Sequence, residues 1–155
     1  MGWVFTAFLI VSILHMGEEY LYPGGFIDFT KRLNPGIAEC ITIRFAVIIN
    51  ALQIVLCLVA LAVWKTALVF AMSVAGLLFF NGLVHLAAGI RTKGYVPGVG
   101  TGVLLYLPIS LYAYVSFCML GQLSLAGVIA SALLGILYHG IPVGYLALSK
   151  VLRVI

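Results

Sequence analysis

Residues 2–20 read GWVFTAFLIVSILHMGEEY, an apolar run that ends in one imidazole and two carboxylates. About 20 apolar residues, at a helical rise of about 1.5 Å each, cross the hydrocarbon core of a bilayer, which is about 30 Å thick. The run therefore predicts a membrane-spanning helix. Ionisable groups are costly in a membrane unless they gain a partner, a metal ion or water, so His15, Glu18 and Glu19 predict a functional site at its end.

The composition of the whole chain indicates the same class of protein. Of its 155 residues, 65% are hydrophobic and 8% are charged, whereas soluble domains carry about 25% charged residues. This excludes an ordinary soluble domain and predicts an all-α polytopic transmembrane bundle. No basic stripe typical of nucleic-acid binding is present, so no nucleic-acid partner is expected. Cys40, Cys57 and Cys118 are far apart without a CxxC pattern, which favours small apolar residues over disulfides or a zinc finger.

Four further apolar segments follow the first, so we predict one domain over residues 1–155 with five spans, at residues 2–20, 41–64, 67–90, 101–120 and 123–148. Residues 22–25 (YPGG) are typical of a turn, and residues 26–39 predict a polar connector. Pro108 predicts a kink or altered hydrogen bonding in span four. Residues 139–142 (HGIP) predict a break within span five, at membrane depth. A four-span arrangement, with one of the last two segments re-entrant, is the alternative.

The distribution of basic residues predicts the orientation in the membrane. With five spans, Lys65 lies on one side and the other seven of the eight basic residues lie on the opposite side: Lys31, Arg32, Arg44, Arg91, Lys93, Lys150 and Arg153. The positive-inside rule then places the C-terminus in the cytoplasm and the N-terminus outside. The first segment has no basic n-region and no cleavage pattern, so we expect it to be retained as a helix.

The ionisable residues are spaced as metal ligands would be. His15 precedes Glu18 by three residues and Glu19 by four, so all three side chains can share one helix face. His85 and His139 fall in the cytoplasmic half of two other predicted spans. Imidazoles combined with carboxylates suit a divalent metal such as iron, zinc or manganese. The predicted metal ligands are His15, Glu18, Glu19, His85 and His139.

Each of these residues also has a purely structural interpretation. The two glutamates can be solvated at the membrane boundary and paired with nearby basic side chains, of which Lys31, Arg32 and Arg44 are candidates. His85 can form a hydrogen bond with Asn81, four residues before it, or with a backbone carbonyl. His139 can cap carbonyls that Pro142 leaves without a hydrogen bond.

Three short motifs give the chain a resemblance to a known family. HMGEE at residues 15–19, NGLVH at 81–85 and YVPG at 95–98 resemble the HXXEE, NXXXH and YXPG motifs of the HXXEE domain family of bacterial and archaeal membrane proteins. That family is defined by its motifs and has no established activity. The resemblance implies a prokaryotic inner or plasma membrane and one shared site, formed by His15, Glu18, Glu19, Asn81, His85, Tyr95, Pro97 and Gly98. His139 matches no motif.

The first functional hypothesis is a metal-dependent membrane enzyme, a hydrolase or an oxidoreductase, that acts on a lipid-like substrate from the cytoplasmic leaflet. Glu18 or Glu19 would act as general base on a metal-bound water, and Asn81 would orient a ligand or the substrate. The loop that carries Tyr95, Pro97 and Gly98 would form a rim or lid over the site. Membrane lipids are the expected partners.

Three other functions use the same residues. A proton-coupled carrier or ion pathway would use the carboxylates and imidazoles as a relay. A b-type haem held by two of the histidines would make the protein coloured. A non-catalytic module would bind a lipid or a partner helix through the same polar groups. The sequence carries no signal for the oligomeric state.

Overall fold

The computed structural model describes residues 1–21 and 25–154, and the regular structure in this part of the chain is entirely helical. Its helices are α1 (Trp3–Leu21), α2 (Gly25–Leu33), α3 (Ile43–Val63), α4 (Leu68–Thr92), α5 (Val99–Met119) and α6 (Leu125–Val154). All except α2 are long and apolar enough to cross a membrane. The predicted all-α fold with five spans is therefore confirmed, and it indicates an integral membrane protein. Most of the turn predicted at residues 22–25 lies outside the described residues.

Helix α4 is the centre of the bundle. It packs against α1, α3, α5 and α6, and residues 71–78 along it are all buried. The outer helices instead expose large apolar side chains, such as Val55 and Val115, each about half accessible. Such an apolar outer surface is suited to lipid rather than to water.

Glycines allow α6 to lie very close to α4. A Cβ atom at Gly135 would lie 2.5 Å from the carbonyl carbon of Gly76. Tyr114 of α5 links the same two helices, because its hydroxyl lies 3.2 Å from the Met72 carbonyl oxygen of α4 and 3.1 Å from the Ser131 hydroxyl of α6. Small residues at helix crossings are typical of membrane bundles, where close van der Waals packing holds the helices together.

Helix α5 departs from regular α-helical hydrogen bonding, as Pro108 predicts. Residues Gly102–Tyr106 form a π-helical segment just before the proline. Next to this segment, a Cβ atom at Gly82 of α4 would lie only 2.7 Å from the Gly102 carbonyl oxygen. The start of α5 is thereby held against the part of α4 that carries His85.

The prediction of a break in the fifth span is wrong. Helix α6 continues from Leu125 to Val154 with Pro142 inside it, since a membrane helix tolerates a proline where its surroundings satisfy the freed backbone group. His139 does not cap the carbonyl that Pro142 leaves free, which is that of Tyr138. Its Nδ1 instead lies 3.1 Å from the Gly135 carbonyl oxygen, one turn earlier.

The segment predicted as a polar connector, residues 26–39, contains ordered helix. Helix α2 is followed by a 3-10 helix at Pro35–Cys40. The prediction missed α2 because the helix is short and amphipathic: Asp28 and Arg32 are exposed, whereas Phe26 and Phe29 are half-buried. These two aromatic residues line a cavity inside the bundle.

Candidate metal centre

Three ionisable side chains from α1 and α4 meet inside the bundle. Glu19 Oε1 lies 3.6 Å from His15 Nε2 and 3.3 Å from His85 Nε2. One potential ligand atom from each residue lies within 4.8 Å of the other two. The three residues are 2%, 5% and 8% exposed for His15, Glu19 and His85, so bulk water does not solvate them. We call this group the His-Glu-His cluster.

The hydrogen bonds of Thr101 define the tautomer of His15. The Thr101 hydroxyl donates to Glu18 Oε2, and a hydroxyl has only one hydrogen to give. Its contact with His15 Nδ1, at 2.8 Å, is therefore one in which the ring nitrogen donates. In the neutral imidazole, this leaves Nε2 with a lone pair that points to the other members of the cluster.

Among the described residues, the lone pair of His15 Nε2 has no hydrogen-bond partner, although the atom is buried. Its nearest charged neighbour is a carboxylate oxygen of Glu19, which is also an acceptor. Two acceptors that face each other in a buried place repel unless a proton or a metal ion lies between them. Two imidazole nitrogens and a carboxylate oxygen are a common ligand set for iron and zinc, so the cluster fits a divalent metal.

Glu18 is turned away from the cluster and holds a loop instead. Its Oε1 accepts from the Tyr95 hydroxyl and from the Gly100 backbone N–H, at 2.9 Å for the latter. Its Oε2 accepts from the Thr101 backbone N–H at 2.6 Å and from the Thr101 hydroxyl. The two backbone donors belong to the first turn of α5, where a helix favours a negative charge. Glu18 thus connects α1 to the start of α5. Within the described residues, neither glutamate forms an ion pair with a lysine or an arginine.

The YVPG loop closes over the two imidazoles. Gly98 has a φ of +86°, and a Cβ atom there would lie 2.7 Å from Cε1 of both His15 and His85. Pro97 beside it is fully buried, and Tyr95 is about half exposed while its hydroxyl contacts Glu18. The glycine is required here because no side chain fits between the loop and the rings.

A cavity of about 320 Å³ adjoins the His-Glu-His cluster. Most of its wall is apolar and comes from α2, α3, α4 and α6. Its polar lining consists of His15, Glu19, Thr30, Asn34, Asn50, Gln53, Asn81, His85, Tyr138 and His139. The structure thus places Asn81 and His139 at the cavity, although His139 is not in the three-residue cluster.

A family model described as "Protein of unknown function with HXXEE motif" matches residues 6–113. The chain belongs to the HXXEE family. The matched residues include all three motifs, and they end before α6, which supplies His139 and one wall of the cavity. No curated protein and no solved structure matches the chain.

In this HXXEE protein, sequence reasoning missed several residues around the cluster. Thr101 orients His15, and Tyr106 packs against the same ring at a tilt, with centroids 4.4 Å apart. Gln53 donates to the Tyr106 hydroxyl at 2.7 Å and to the Ser12 hydroxyl at 3.1 Å. Gln53 had a usable signal, because a polar residue within an apolar span suggests a functional role. Thr101 had only a weak one, since a hydroxyl residue at the start of a helix is usual.

Proposed function

We propose that the protein is a metal-dependent membrane enzyme that acts on a lipid-like substrate. The observation that carries this proposal is the buried His-Glu-His cluster, in which the lone pair of His15 Nε2 lacks a hydrogen-bond partner in the described part of the chain. His15, Glu19 and His85 would hold the metal. Three protein ligands leave coordination positions open for water or substrate, as catalytic metal sites do. Iron, zinc and manganese all suit this ligand set.

The residues around the cluster support it in different ways. Thr101 accepts the Nδ1 hydrogen of His15 and so orients its Nε2 towards the cluster, an outer contact of the kind that metal-binding histidines usually make. Glu18 positions Thr101 and the loop that carries Tyr95, Pro97 and Gly98. We assign Glu18 a positioning role and Glu19 the ligand role. Asn81 and His139, on the cavity wall, would contact the substrate, and the metal would supply Lewis acidity or an activated water.

The cavity favours a lipid-like substrate. The cavity wall comes from five helices, including α3 and α6, both of which pack on α4. Phe45 and Tyr145 bridge these two helices, with ring centroids 5.6 Å apart. An apolar chain that reached the cavity between α3 and α6 would come from the bilayer. We assign this end of the bundle to the cytoplasmic leaflet, because the basic residues cluster there.

The test is elemental analysis of the detergent-purified protein after reconstitution with iron, zinc or manganese. We expect about one equivalent of one metal in the wild type, and its loss in His15→Ala, Glu19→Gln and His85→Ala. Cys118→Ser is the control, because this exposed cysteine near the end of α5 is remote from the cluster and should leave the metal in place. A metal-free wild type, or full retention of metal by the three variants, refutes the proposal.

A proton-coupled carrier is a second candidate, supported by one further observation. The Tyr106 ring contacts His15, and the Tyr106 hydroxyl is linked through Gln53 to Ser12. This buried polar chain extends from the cluster along α1 into the bundle. A metal-free wild type that carries proton-coupled flux in vesicles, with the flux lost in Glu19→Gln, favours the carrier over the enzyme.

A further inference from the structure

The polar end of the substrate can be inferred from the hydrogen-bonding needs of the cavity, an inference that rests on the proposed function. His139 Nδ1 lies 3.1 Å from the Gly135 carbonyl oxygen. A carbonyl oxygen only accepts, so Nδ1 carries the hydrogen, and Nε2 of the neutral ring is an acceptor. Nε2 is buried and has no hydrogen-bond partner among the described residues.

Asn81 adds a second acceptor of the same kind. Its Oδ1 is buried, and within the described chain it too has no hydrogen-bond partner. Both residues line the cavity. A buried acceptor without a donor costs about 1–3 kcal/mol, so two of them on residues that line one cavity point to a ligand that supplies hydrogens.

The charge of the cavity also restricts the ligand. Among the described residues that line it, Glu19 is the one carboxylate and there is neither a lysine nor an arginine. A phosphate or carboxylate headgroup would bring negative charge to two unpartnered acceptors with no basic side chain to meet it. An uncharged group that carries hydroxyl hydrogens satisfies both acceptors without this penalty.

We propose that the cavity binds a single-chain lipid whose polar end is uncharged and bears hydroxyl groups, which donate to His139 Nε2 and Asn81 Oδ1. The cavity volume of about 320 Å³ is at the lower end of the range of about 300–1,000 Å³ for ligand pockets. It accommodates the polar end and the first part of one chain. The rest of the chain extends between α3 and α6 into the bilayer.

The experiment compares three lipids with the same oleoyl chain on metal-stripped protein in detergent. Monooleoylglycerol has two hydroxyls, methyl oleate has no hydrogen to donate, and oleoyl lysophosphatidic acid carries a phosphate. Each lipid competes with a fluorescent monoacylglycerol for the protein. We expect monooleoylglycerol to bind about four- to hundredfold more tightly than the other two, the product of two neutral hydrogen bonds worth about two- to tenfold each.

Two independent variants remove one acceptor each. His139→Phe and Asn81→Leu should each weaken monooleoylglycerol binding about two- to tenfold and leave methyl oleate binding unchanged. Ser131→Ala is the matched control on α6, because its hydroxyl contacts Tyr114 and does not line the cavity; it should change neither. Equal or tighter binding of lysophosphatidic acid by the wild type overturns the proposal, as does unchanged lipid preference in both variants.

The lipid preference measured in this experiment does not depend on bound metal. Because the binding measurements use stripped protein, lipid preference is obtained whether or not the cluster holds an ion. Preference for the hydroxylated lipid in a protein that never binds metal would refute the enzyme and support this ligand class. Stoichiometric metal in a protein without that preference would refute the ligand class alone.

Discussion

Replacing Thr101 with valine tests whether the first turn of α5 orients His15. Valine keeps the shape of threonine and removes the hydroxyl that accepts from His15 Nδ1 at 2.8 Å and donates to Glu18. His15 then loses the contact that directs its Nε2 to Glu19. Loss of such an outer contact typically weakens metal binding about 10- to 100-fold, and we expect this range for Thr101→Val.

The same change should lower the free energy of unfolding. The hydrogen bond to the Glu18 carboxylate contributes about 1.5–3 kcal/mol and the one from the imidazole about 0.5–1.5 kcal/mol. Together they predict a loss of about 2–4.5 kcal/mol, with the backbone N–H groups of Gly100 and Thr101 still bound to Glu18. Metal affinity would be measured by competition with a chelator, and stability by chemical unfolding in detergent.

Thr92→Val is the matched control. The Thr92 hydroxyl is exposed and donates to the Ala88 carbonyl oxygen at 2.9 Å, at the end of α4 and outside the His-Glu-His cluster. This variant should keep wild-type metal affinity. Wild-type affinity in Thr101→Val, or an equal loss in both variants, would show that Thr101 does not orient the ligand.

Two glycine substitutions test the close contacts of the bundle. Gly98→Ala places a methyl group 2.7 Å from both imidazoles at a positive φ. It should therefore displace the loop, lower the free energy of unfolding by at least about 1–2 kcal/mol and weaken metal binding. Gly94→Ala is the control and should have none of these effects, because the nearest contact of its methyl group would be 3.8 Å away. Gly135→Ala places a methyl group 2.5 Å from the α4 backbone and should lower the midpoint of thermal unfolding in detergent, whereas Gly140→Ala on the same helix meets nothing within 4 Å. If a variant and its control in either pair had equal midpoints of thermal unfolding, the close contacts at Gly98 or Gly135 would be contradicted.

Hydropathy and residue spacing were sufficient to predict the number of membrane-spanning helices and part of the site. Apolar segments of about 20 residues adopt helices in a membrane because their backbone groups have no water to bond with. The spacing of four between His15 and Glu19 placed them on one face of α1, and the structure has them 3.6 Å apart. Each spanning helix, and the shared helix face of His15 and Glu19, depends on residues within a single segment, so the sequence of that segment predicts it.

The adjacent glutamates show where such reasoning stops. Glu18 and Glu19 are chemically identical neighbours, and the sequence predicts the same metal-ligand role for both. In the structure Glu18 turns to donors at the start of α5, whereas Glu19 turns to an imidazole of α4. The direction of each carboxylate depends on groups about 65 to 85 residues away in the chain, which no local pattern records.

The amino-acid sequence by itself determined that the protein is a five-span helical bundle and that its three motifs belong to one family, since apolar length and motif spacing are local properties. The tertiary structure alone decided the rest: the convergence of His15 and His85, the closure of Gly98 over them, the cavity that α3 and α6 help to line, and the continuity of α6 through Pro142. These features depend on how separate helices pack. Side chains from several helices create the cavity and supply the hydrogen-bond partners, so only the assembled bundle contains the site.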